Sequence, residues 1–256
     1  RMITDPFFYV VAIPALFIVG LSKGGFGGAM AIMGVPLMTL AVPPFQAAAI
    51  MLPILILMDM FSLWTWRHHS DRKTLIIILP GALLGIAIGW LTATWVSEGL
   101  IRLHVGFVAL SFSLQYFWRR FHEYRLSKQT PPRAHNRLYG AFCGLLSGFT
   151  SFISHAGGPP YQLYALPLRH DPKVYTGTSV RFFTAINALK VIPYFLLGEF
   201  DATNLKTALV LSPIAPLATL AGALIVRRLK PEVFYPLMYA MVLLTSFKLI
   251  YDGLLG

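Results

Sequence analysis

Lys23 lies in the stretch Gly20 to Pro36, GLSKGGFGGAMAIMGVP, and is followed by Gly24, Gly25, Gly27 and Gly28. An ammonium beside glycines, whose bare backbone leaves N–H groups open to a ligand, has the makings of an anion pocket. A short helix starting near Gly25 would add the positive end of its dipole. The stretch Gly144 to Pro160, GLLSGFTSFISHAGGPP, reads as a second copy with Ser147, Gly148, Thr150, Ser151, Ser154, His155, Gly157 and Gly158. Its hydroxyls and amides complement an anion without fixed charge, and His155 could donate to it or carry a proton near neutrality. Further along, Arg181 in GTSVRFFTAIN offers a planar fork that matches carboxylate, sulfonate or phosphate oxygens. Asn187 is a candidate ligand donor, and Asp59, in MDMFSL, is a candidate partner for a base or a site of proton coupling. Structural readings stand beside each of these. The glycines could be a packing face between helices. His155 could be a satisfied donor, and Arg181 could pair with Asp59 or with lipid headgroups.

The elements that hold these residues are apolar. The chain has 256 residues, 56% hydrophobic and 12% charged, about half the charge of a soluble domain. Apolar runs near membrane-spanning length recur from end to end, which marks a polytopic membrane protein. Ten segments are expected, at roughly 7–22, 26–42, 46–66, 74–95, 99–118, 138–153, 156–168, 174–196, 205–226 and 234–252. Fully helical, residues 8–42 would cover roughly 50 Å, short of two crossings of about 30 Å each. Each glycine-rich pair is therefore expected to be short or re-entrant helices meeting inside the bilayer, where protein or a wet cavity covers broken backbone. The first apolar run leads straight into the first glycine cluster, so no cleaved leader is expected.

The net charge of +11 sorts by loop. Arg67, Arg72 and Lys73 follow the third segment, and Arg119, Arg120, Arg125, Lys128, Arg133 and Arg137 lie between the fifth and sixth. Arg169 and Lys173, then Arg227, Arg228 and Lys230, fill two later connections. All fall on one side if segments alternate, and that side is cytoplasmic by the basic bias of short loops. The charge is thus a topology signal and no nucleic-acid partner is expected. Five segments per half is odd, so the second half is inverted. The expected fold is all-α, with two inverted five-segment repeats each opening with short broken or re-entrant helices. The first repeat takes 1–118, the cytoplasmic connector 119–137 and the second repeat 138–256. Such repeats underlie alternating access around a midplane site. Within the segments Lys23, Arg181, Lys190 and Lys248 outnumber the single acid Asp59, which favours an anionic substrate. Lys248 is close enough to a segment end to snorkel.

No GxxxxGK[ST], GxSxG or HExxH motif is present, so neither ATP-driven nor enzymatic chemistry is indicated. The single cysteine excludes an internal disulfide or cysteine-rich metal site, and His68, His69 and Asp71 read as a solvated basic turn. No cofactor or metal is expected. A secondary anion carrier leads. An anion channel, or an integral-membrane enzyme or assembly factor, are the alternatives.

LSKGGFGGAMAIMGVPLM at 21–38, LLSGFTSFISHAGGPPYQLYAL at 145–166 and TGTSVRFFTAINALKVIPY at 176–194 resemble the sulfite exporter TauE/SafE family, also called the toluene-sulfonate uptake permease family. The resemblance covers nearly the whole chain. It implies a multi-pass carrier of the bacterial inner membrane for small sulfur-containing anions such as sulfite or an organosulfonate like sulfoacetate, working in export or in uptake. It maps substrate binding onto Ser22, Lys23, Gly24 and Gly25 and, in the second copy, Ser147, Gly148, Ser154, His155, Gly157 and Gly158. Lys23 interrupts the family's glycine–serine pattern, which suits a more strongly charged anion. A monomer or homodimer in contact with membrane lipid is the expected assembly.

Overall fold

The computed structural model describes residues 3, 5–28, 34–38, 40–42, 44–92, 95–126, 131–154, 156–196 and 202–255, and these are helical throughout, joined by turns and short extended links. Among the described residues, eleven α-helices form two compact units. Unit one, Arg1–Asp71 with Pro172–Leu229, holds α1 (Pro6–Gly24), α2 (Gly34–Met38), α3 (Pro44–Thr65), α8 (Pro172–Leu196), α9 (Ala202–Leu211) and α10 (Ile214–Arg228). Unit two, Arg72–Asp171 with Lys230–Gly256, holds α4 (Arg72–Thr92), α5 (Glu98–Leu126), α6 (Arg137–Ser154), α7 (Gly158–Ala165), a 3₁₀ turn (Leu166–Leu168) and α11 (Pro231–Leu255).

The local chemistry explains the ends. Asp5 caps α1 by accepting from the Phe7 N–H at 2.9 Å, and Pro6 supplies a first residue that needs no donor. Near Ser212 and Pro213 the α9–α10 pair bends by 43°, so the ninth expected segment is broken rather than one straight helix. Among the described residues α1, α4, residues 99–122 of α5 and α11 are long and apolar enough to cross a membrane, and the bent pair would be a fifth. The protein is a polytopic helical membrane protein. α8 has 25 residues but carries Lys173, Arg181, Asn187 and Lys190, polar groups that a lipid-facing span would not hold.

The first segment corrects one expectation. It is not a short half-helix: its 19 residues span about 28 Å. Of the second segment, residues 29–33 and 39 lie outside the described residues, and the described part holds α2.

Small residues let helices touch backbone to backbone inside each unit, the usual substitute for a hydrophobic driving force in lipid. In unit one, a Cβ on Gly24 would lie 1.9 Å from the Thr219 carbonyl oxygen of α10, and one on Gly25 would lie 2.3 Å from that of Gly222. In unit two, Gly81 and Gly85 of α4 interleave with Gly144 and Gly148 of α6, where added Cβ atoms would lie 2.0–2.1 Å from facing carbonyl oxygens. Around these contacts, unit one packs Phe8, Leu16, Met38, Ile54, Met58 and Leu211 into an apolar core. In unit two, α5 lies along α11, where Tyr116 stacks on Tyr239 with ring centroids 3.6 Å apart. Lys248, near the end of α11, pairs with Asp252 one turn on.

Candidate functional site

The first glycine cluster is a helix C-terminus. The N–H of Gly25 donates to Leu21 O at 3.1 Å, and those of Phe26 and Gly28 donate to Ser22 O at 2.8 and 3.0 Å. Gly27 and Gly28 take left-handed φ of 59° and 74°, which closes the helix in the manner that glycine permits. The expected helix start near Gly25 is therefore overturned. Lys23 sits in the last turn of α1, where the dipole's negative end favours a cation, and the amides of Gly25, Phe26 and Gly28 are spent on the cap.

The carbonyls turned out by this ending are met by three groups from other helices. Trp66 Nε1 donates to Gly24 O at 2.7 Å, Thr176 Oγ1 to Gly25 O at 2.8 Å and Ser179 Oγ to Gly27 O at 3.0 Å. These three were not among the residues singled out from the sequence. The hydroxyl spacing of Thr176 and Ser179, three apart on one helical face, was the signal available for two of them.

Above this scaffold lies a buried charge cluster. Lys23 Nζ contacts Asp59 Oδ1, and Asn187 Nδ2 donates to Asp59 Oδ2 at 2.8 Å. Lys190, one turn beyond Asn187 on α8, is in electrostatic reach of both Lys23 and Asp59. The relative exposures of Lys23, Asp59 and Lys190 are 8%, 5% and 4%, so none is solvated from the surface. Both carboxylate oxygens of Asp59 are engaged, one by Lys23 and the other by Asn187. Ser62, one turn from Asp59 on α3, is 1% exposed, and its Oγ has no partner among the described residues.

Arg181 stands elsewhere in the same unit. Its Nη1 donates to the carbonyls of Trp66, His69 and Gly177 at 3.0–3.1 Å, and its Nη2 donates to that of Arg67 at 2.6 Å. It gathers the carbonyls that the end of α3 leaves open. Arg227 assists from α10, donating to Thr65 O at 3.1 Å and lying 5.5 Å over the Trp66 ring.

In unit two the second glycine cluster also closes on itself. Ser147 Oγ donates to Gly157 O at 2.6 Å, Thr150 Oγ1 to Ala156 O at 3.1 Å, and the Ala156 N–H to Thr150 O at 3.1 Å. A Cβ on Gly157 would lie 2.7 Å from Ser151 Cβ, so this glycine is required by the tight return. Gln162 of α7 is 1% exposed, and its Nε2 has no partner among the described residues. The side chain of Ser154 and all of His155 lie outside the described residues.

So unit one brings Lys23, Asp59 and Asn187 together, with Ser22 and Gly24 in the same helix end. Unit two gathers Ser147 and Gly157. A multi-span helical protein with buried, cross-helix charge pairs of this kind belongs to the transport proteins of membranes. The chain is a member of the sulfite exporter TauE/SafE family, whose family model matches residues 12–249. No curated protein and no solved structure matches it.

Proposed function

We propose that the chain is a secondary transporter of a small sulfur-containing anion, sulfite or an organosulfonate such as sulfoacetate, in a bacterial inner membrane. One observation carries this reading: Lys23 and Asp59 form a buried ion pair between two helices, and Asn187 of a third helix donates to the other carboxylate oxygen. In the unloaded protein Asp59 neutralises Lys23. An incoming oxyanion takes over the Lys23 ammonium and the Asn187 amide, with the Ser62 hydroxyl as a further donor. Displaced from both partners in a buried site, Asp59 then takes up a proton, which couples anion and proton movement. Ser22, Gly24 and Gly25 shape the lysine's helix end. Ser147, Ser154, His155 and Gly157 are the counterpart in the second half, and Arg181 holds the end of α3.

The packing supports inverted repeats over 1–118 and 138–256. In unit one α1, which opens the first half, packs on α10. In unit two α6, which opens the second half, packs on α4. This reciprocal exchange, with glycines at both contacts, is what two copies of one five-segment plan would give, and the two halves then rock to alternate access. The carrier works as a monomer or homodimer among membrane lipids.

Reconstitution into liposomes tests the reading, with labelled sulfite, sulfoacetate, sulfate and taurine offered under several pH gradients. Saturable, exchangeable flux of a sulfur oxyanion is expected. Flux that never saturates would indicate a channel, and absence of any sulfur-anion flux or binding would sink the proposal.

A further inference from the structure

Unit two contains a cavity of about 650 Å³ that the lysine cluster does not use. Arg119 and Arg120 reach it from α5, Arg133 from the segment before α6, and Arg169 from the end of the 3₁₀ turn. None of the described residues lining it is acidic. Specific contacts hold two of these arginines. The backbone N–H of Arg133 donates to Pro167 O at 2.9 Å, and its guanidinium lies 5.6 Å over the Tyr139 ring. Arg169 holds a left-handed φ of 51°, a conformation that a residue with a side chain keeps only where its surroundings impose it.

Beside this cavity, on the same helix, runs an open groove of about 600 Å³ lined by Leu114, Phe117, Trp118 and Phe121. Gln115 borders both spaces. Leu114, Phe117, Trp118 and Phe121 recur at one helical face, while Phe112, Gln115, Tyr116 and Arg119 form the face next to it. Leu114, Trp118 and Phe121 are more than half exposed. A cationic cavity alone would suit any small anion. A cationic cavity continuous with an apolar aromatic groove, at the basic end of a membrane-spanning helix, suits an amphiphile. We propose that this site holds an anionic phospholipid, with its phosphate among Arg119, Arg120, Arg133 and Arg169 and an acyl chain along the Leu114–Phe121 groove. The arginine forks match phosphate oxygens in pairs, and basic pockets between helices on this side of a membrane select anionic headgroups. Trp118 takes the interfacial position that its amphipathic ring favours.

The test titrates the delipidated full chain, in neutral detergent, with short-chain phosphatidylglycerol and with phosphatidylcholine of the same chains. Wild type is expected to prefer phosphatidylglycerol. Arg119→Gln and Arg133→Gln, both exposed, should each reduce that preference about fivefold. Trp118→Ala combined with Phe121→Ala should weaken both lipids alike and keep the preference. Arg228→Gln, an exposed charge in unit one, should change nothing, and melting curves verify that each variant is folded. A preference absent from wild type, retained in the arginine variants or equally lost in Arg228→Gln would overturn the proposal. So would competition by glycerol phosphate as strong as that of the lipid, which would mark a small-anion site instead.

Discussion

Removing both partners of the Lys23–Asp59 pair should cost less than the two single removals added together. With side chains 8% and 6% exposed, neither residue can recover its hydration in place. Breaking such a pair from one side typically costs about 3–5 kcal/mol, because the surviving charge stays buried and unpaired. The surroundings make the two sides unequal. Asp59→Asn strands the buried Lys23 ammonium and removes a carboxylate within electrostatic reach of Lys190, so its cost should lie near the upper figure, about 5 kcal/mol. Lys23→Met leaves Asp59 with the Asn187 amide and with Lys190 in reach, so about 3 kcal/mol is expected. The double variant removes the stranded charge and should fall short of the sum by about 2–3 kcal/mol, a coupling typical of direct partners. Chemical unfolding of the four proteins in one mixed-micelle condition measures the cycle. Anion flux in liposomes provides the second readout: the double variant should be folded yet inactive. Additive single effects, or a Lys23→Met protein less stable than Asp59→Asn, would refute the reasoning.

Packing and capping set two further outcomes. Gly24→Ala and Gly85→Ala each press a methyl to about 2 Å from a carbonyl oxygen of the facing helix and should cost about 3 kcal/mol. Gly28→Ala meets, among the described residues, nothing closer than Phe183 at 3.7 Å and should cost about 1 kcal/mol for its left-handed backbone alone, so equal melting shifts at all three would remove the packing explanation. Arg181→Lys cannot serve four carbonyls with one ammonium and should lower stability by about 2 kcal/mol while leaving the anion half-saturation concentration nearly unchanged. The reverse pattern would place Arg181 in the pocket.

Much of the helical layout was legible because apolar length is a local property. The expected 74–95, 174–196 and 234–252 lie close to α4, α8 and α11, whose ends are set by the basic or proline-marked turns at Arg72, Pro172 and Pro231. The first glycine cluster was visible as a break but misread in sense. KGGFGG can open a helix or close one, and only the hydrogen bonds from Gly25, Phe26 and Gly28 back to Leu21 and Ser22 decide which. Arg181 was legible as a buried cation and not as a cap, because its four acceptors include three carbonyls more than 100 residues away in the chain.

Composition, segment length and the loop bias of lysine and arginine therefore determined that this is a polytopic membrane protein. Each of those quantities is additive along the chain and needs no partner to be read. Which charges meet was decided by tertiary structure alone. Lys23, Asp59, Asn187 and Lys190 come from three helices spread across the sequence, and their union depends on α1, α3 and α8 packing closely. The small residues of α1 and α10 make part of that close approach possible, since every added carbon there would hold the backbones apart.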